Sequence, residues 1–156
     1  MDKRMTRPGF ARLLAAASAS LGALAAAQPA SAAAKTHRVA FHVNQNDPAI
    51  MNLVLNNMVN VTTHYSGIGE QCELELVTYG PGLHMLRADT SPVKDRLASI
   101  KQSIPDVTFS ACNVTKTGME KAEGHPITIL PLARIVPSGV VRIVELQEGG
   151  WSYVKP

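Results

Sequence analysis

Cysteine is scarce: only Cys72 and Cys112 occur in 156 residues. Neither stands near the N-terminal segment, so that segment offers no thiol for a lipid anchor. Basic runs are also missing outside the first dozen residues. Apolar stretches long enough to span a bilayer are absent too: the longest, Leu13 to Ala27, is shorter than the ~20 residues that a spanning helix needs. There is no G-x-S-x-G elbow for a hydrolase nucleophile. The five histidines are not spaced as a metal site, and no internal repeat or low-complexity tract appears beyond the N-terminal segment.

That segment has its own logic. Lys3, Arg4, Arg7 and Arg12 precede the uncharged LLAAASASLGALAAA, and Ala30-Ser31-Ala32 supplies small residues at the end. A basic start, an apolar middle and an A-x-A site together form a secretory signal peptide. The expected division is therefore a signal over 1–32, cleaved after Ala32 or Ala34, and one domain over 33–156. The whole chain carries 15 Lys plus Arg against 12 Asp plus Glu. The segment takes four of the former and Asp2 of the latter, leaving eleven of each. A neutral domain without a basic stripe offers no nucleic-acid footprint, and no membrane association is expected once the signal is removed.

The domain alternates strand and helix signals. RVAFHV (38–43) reads as a buried strand, followed by Asn46 or Asp47 as a cap and Pro48 in a first helical turn. Ile50, Leu53, Val54, Met58 and Val61 then mark one face of a helix ending near His64. CELELVTYG (72–80) alternates as a strand whose Glu73 and Glu75 face outward. Gly80-Pro81-Gly82 turns the chain into a short helical piece over 83–87. A helix from Ser91 to Ile104, a strand over 107–111 and a polar helix over 113–123 follow. Residues 127–132 read as a strand or a buried loop, and 133–136 as a fourth strand. A helix capped by Ser138 leads to Gly149-Gly150, and a last strand covers 151–154. This order predicts an α/β, three-layer flavodoxin-like domain with a mostly parallel sheet of about five strands.

In such a sheet, ligands sit beyond the carboxyl ends of the strands. Asn44, Gly80, Gly82, His84, Cys112, Asn113 and Ser138 all map to that edge. Cys112 also stands at a helix N-terminus, where unpaired N–H groups favour a thiolate. The plainer reading is a small buried hydrophobe, and both readings stay open. Cys72, on the face of Leu74 and Leu76, reads as core. Parallel strands would hold the two cysteines roughly 20 Å apart, too far for a disulfide. His42 reads as a satisfied core residue. A Cys–His metal pair of His84 with Cys112, or a Ser138–His84 hydrolase, has weaker support; no metal and no cofactor are expected. Asn60-Val61-Thr62 and Asn113-Val114-Thr115 match the N-glycosylation pattern at a rate that chance supplies.

The ordered blocks VAFHV, LNNMVNV, LELVTYGPGLHML, VTFSACNVT and IVPSGVVRIVELQEGGWSYVKP resemble the DsrE/DsrF-like family, most closely its small single-domain branch. The resemblance spans about His37 to Pro156. It implies a flavodoxin-like fold assembled as a homo-oligomer, a trimer or hexamer. It further implies a sulfur-relay role in which Cys112 carries a persulfide between a sulfur donor and an acceptor. Relatives often place Gly-Asn-Thr after this cysteine, whereas Asn113 follows directly here. The signal peptide is the other departure, since it implies a periplasmic carrier among a family of cytoplasmic ones. The competing expectation is a non-catalytic oligomeric binding or scaffold protein of the same fold.

Overall fold

The structure, a computed structural model, describes residues 35–156, so the expected signal peptide over 1–32 lies outside the described residues. Five strands, β1 (Thr36–Val43), β2 (Gln71–Thr78), β3 (Thr108–Cys112), β4 (Ala133–Val136) and β5 (Ser152–Val154), form one sheet in the order β4-β3-β2-β1-β5. Every pairing is parallel. The helices are α1 (Pro48–Gly67), α2 (Lys94–Ser103), α3 (Asn113–Glu123) and α4 (Gly139–Glu148). A 3-10 segment, Gly80–Leu86, takes the place expected for the short helical piece. The expected fold class is thus present: an α/β, three-layer, flavodoxin-like domain.

Local chemistry explains the boundaries. Asp47 caps α1, its Oδ1 accepting from the Ala49 N–H at 2.7 Å, with Pro48 in the first turn. Gly124, at φ 74°, closes α3 in the left-handed conformation. Residues 127–132 form no strand of the sheet; an isolated antiparallel bridge joins Ile129 to Arg87.

The connections decide the layers. β1, β2 and β3 each lead to a neighbour on the same side, and α1, α2 and the 3-10 segment pack on the sheet face of Phe41, Leu76 and Phe109. Met119 of α3 joins that same core. The return from β4 to β5 carries α4 across the opposite face, where Ile143 and Leu146 pack on Ala40 and Val77. One face is therefore covered by several elements and the other by α4. The chain changes face between the connections that follow β3 and β4, and a crevice outside the carboxyl ends opens at such a switch point.

One expectation fails on the α4 face. Glu75, read as outward, is only 2% exposed. Its carboxylate accepts from Arg142 Nε and Nη2 at 2.9 and 2.8 Å, from Arg134 Nη2 at 2.9 Å and from Ser110 Oγ at 2.6 Å. The alternation holds, but the face to which Glu75 points is a second interior rather than solvent. Burial pushes the carboxyl upward, yet these hydrogen bonds outweigh it and hold the group below its ordinary value.

Candidate functional site

Cys112 ends β3 and is itself the N-cap of α3. Its Sγ accepts from the Thr115 N–H at 3.4 Å, the role usually filled by a serine or aspartate oxygen. The thiol also lies beside the Thr115 hydroxyl and the N–H groups of Val114 and of Gly139, the first residue of α4, and these favour its thiolate. The starts of two helices that lie on opposite faces thus meet beside one cysteine, at the switch point. Burial of the side chain, 3% exposed, pushes the thiol pKa up. The donors outweigh it, and the group sits below its ordinary value.

Gly139 is glycine for a steric reason. A Cβ there would meet Tyr79 Cβ and Cδ1 at 3.0 Å and Cys112 Cβ at 3.1 Å. Only without it does the start of α4 close onto the sulfur. Gly82 has a harsher constraint, since its Cβ would lie 2.3 Å from the Val43 carbonyl oxygen. It lets the 3-10 segment cross directly over the end of β1. Gly80, at φ 53°, donates its N–H to Thr115 Oγ1 at 2.9 Å and so ties the turn after β2 to the cap of α3.

The structure brings together Cys112, Asn113, Gly80 and the Ser138-Gly139 turn. Asn113 is the exposed first residue of α3. Ser138 stands at the N-cap position of α4 without a side-chain capping bond, and lines a groove of ≈ 240 Å³ with Ile135 and Val141. The Nδ1 of His84 lies 2.8 Å from Thr90 Oγ1, so this ring nitrogen is engaged by its own loop and not by Cys112 or Ser138. Among the described residues no cluster of three or more metal-type side chains occurs.

The two cysteines are free, as expected. Cys72 pairs in register with His37 at the amino edge of the sheet. Burial, then the charge of Glu70, push its thiol upward. The largest cleft described, ≈ 680 Å³, opens at that edge beside Cys72 and includes none of the residues expected at the carboxyl edge.

His42 corrects a further expectation. Its ring is 3% exposed and stacks on Tyr79 with centroids 4.4 Å apart. Nδ1 lies 2.8 Å from the Tyr153 hydroxyl, but Nε2 is buried without a partner among the described residues, as is Asn44 Oδ1. The residue is therefore half satisfied. Burial, with Lys155 nearby, lowers its pKa to about 4 and keeps the ring neutral near pH 7. Thr115 and Tyr79 carry no signal as site residues in the sequence; the N-x-T triplet marks Thr115 only for an unrelated reason.

The fold and this site together define a small parallel α/β domain with one dipole-held thiol at its switch point. The chain is similar to MTH1491, a protein of unknown function from Methanobacterium thermoautotrophicum. The two share 30% identity and superpose with a TM-score of 0.65, over 77% of this chain and 99% of the archaeal one. With that identity over nearly the whole archaeal protein, the chain belongs to the same family as MTH1491. No protein-family model and no curated protein matches it.

Proposed function

We propose that the protein is a sulfur carrier of the DsrE type in which Cys112 accepts sulfane sulfur. The observation that supports this most is the sulfur that caps α3, accepting from the Thr115 N–H at 3.4 Å with the start of α4 packed beside it, which favours the thiolate that such chemistry requires. The step is a displacement. The Cys112 thiolate attacks the outer sulfur of a persulfide R–S–SH, the new Sγ–S bond forms and the donor's S–S bond breaks. The donor leaves as the thiolate RS⁻ with the electron pair and takes a proton from water. The cap donors then hold the sulfur in either state, thiolate or persulfide.

The near-complete burial of Cys112 favours a second reading, in which the sulfur is a structural helix cap in a non-catalytic scaffold. Intact-mass measurement before and after exposure to thiosulfate or polysulfide separates the two. A gain of sulfur that disappears in Cys112→Ser supports the carrier. No gain, with Cys112 unreactive until the protein is unfolded, leaves the scaffold.

Two further parts belong to the same proposal. The carrier is periplasmic, supported by the basic, apolar and A-x-A order of residues 1–32; mass measurement of protein from a periplasmic fraction should find the chain beginning at Ala33 or Lys35. It is also a trimer or hexamer. Exposed Val140, Val141 and Val144 on α4, beside exposed Ile135 on edge strand β4, give a surface for such assembly.

A further inference from the structure

A capped thiol alone says nothing about what approaches it; the atoms across Tyr79 do. His42 is almost wholly buried, and Tyr153 of edge strand β5 takes its Nδ1. Nε2 is buried and has no partner among the described residues. Asn44, the next position of the same parity just past β1, leaves its buried Oδ1 unpartnered as well. Buried polar atoms are rarely left so, and two on one strand end point to a polar group that binds there.

Alternation in register places His42 and Asn44 on the sheet face that also carries Tyr79 and Cys112. Tyr79 stands between them, stacked on His42 on one side. On its other side it shares with Cys112 the space that a Cβ on Gly139 would fill. His42 and Cys112 lie on strands two places apart in the sheet, a separation of about 10 Å.

We propose that His42 Nε2 and Asn44 Oδ1 are the hydrogen-bonding half of a donor site, which hold the polar body of a small organic persulfide while its outer sulfur meets Cys112. This rests on the carrier reading and sharpens it by naming the donor class. The span from β1 to β3 suits a persulfide carried on an amino-acid or short-peptide thiol. Thiosulfate and short inorganic polysulfides are too small to touch both ends, so they reach the thiol without this aid.

The test follows sulfur loading of Cys112 by intact mass, with glutathione persulfide and with inorganic polysulfide as separate donors, in the wild type, His42→Phe and Asn44→Ala. His42→Phe keeps a ring to stack on Tyr79 and removes the nitrogen. The expected result is saturable loading from glutathione persulfide in the wild type. His42→Phe should raise the half-saturating concentration tenfold or more while loading from polysulfide stays within twofold. Unchanged saturation in His42→Phe overturns the donor site and leaves the carrier standing. Wild-type loading from polysulfide but not from glutathione persulfide overturns it too. Absence of loading from every donor overturns the carrier and the donor site together. Should His42→Phe fail to fold, Asn44→Ala, at a half-buried position, must show the same donor-selective shift, and its absence overturns the proposal.

Discussion

At Cys112 the balance between burial and hydrogen bonding sets the chemistry. Desolvation opposes the thiolate, and the donors from Thr115, Gly139 and Val114 more than compensate. The rate of alkylation of the folded protein should therefore rise with pH through a midpoint below the ~8.5 of a free cysteine. Thr115→Val, which removes the hydroxyl but keeps the backbone donor, should move that midpoint upward; an unmoved midpoint would deny the hydroxyl its part. His42 makes the opposite kind of statement. Its folded-state pKa, about 4, lies below the 6.5 of the unfolded chain. Between those values the unfolded state binds more protons, so the neutral ring's contribution is complete above pH 6.5 and is lost as pH falls toward 4. The full shift corresponds to about 3 kcal/mol. Denaturant titrations of wild type and His42→Phe between pH 4 and 7 should show the wild type losing stability toward acid and the variant losing less. The same histidine marks a limit of the sequence: alternation assigned it correctly to a strand interior. Which of its nitrogens would find partners depended on Tyr153, 111 positions away.

Elements were far more legible than contacts. Apolar periodicity, Pro48, Gly124 and the Gly80-Pro81-Gly82 turn placed nearly every strand and helix within a few residues, because each signal acts through its own neighbours along the chain. Glu75 was misplaced because its partners come from β3, β4 and α4, and no local pattern announces a carboxylate shared by two arginines. That shared carboxylate is what fastens α4 to the sheet. Arg142→Met removes the two-pronged partner and leaves Glu75 with Arg134 and Ser110. Breaking a buried pair costs about 3–5 kcal/mol when no other partner remains. The partial exposure of Arg142 and the surviving partners should hold the loss to roughly 2 kcal/mol by chemical denaturation. Replacing Glu75 and Arg142 together by Leu and Met should cost less than the sum of the single changes. Gly82→Ala would force a methyl group into the Val43 carbonyl. The 3-10 segment must then shift bodily, so the variant should lose several kcal/mol or fail to accumulate folded. Gly139→Ala meets side chains at a gentler distance; it should fold, with Cys112 labelled faster as the start of α4 lifts from the sulfur.

Among the described residues, one face of the sheet is thickly covered and the other carries α4 alone, whose outer side is rich in exposed valine. If that side is the assembly surface, light scattering should report a trimer or hexamer, and Val141→Glu with Val144→Glu should yield a smaller species with its secondary structure intact. A wild type that elutes as a monomer at micromolar concentration would count against assembly. The one-sided arrangement also bears on the order in which the protein is made. Val39 pairs with Ser152, 113 positions later, and β5 arrives only after α4 has crossed the second face. A nascent chain can assemble β1 to β4 and their shared core while its distal part is still being synthesised. The flank of β1 and the nitrogen of the histidine upon it stay open until Tyr153 emerges, so the surroundings of that histidine are completed after the rest of the sheet.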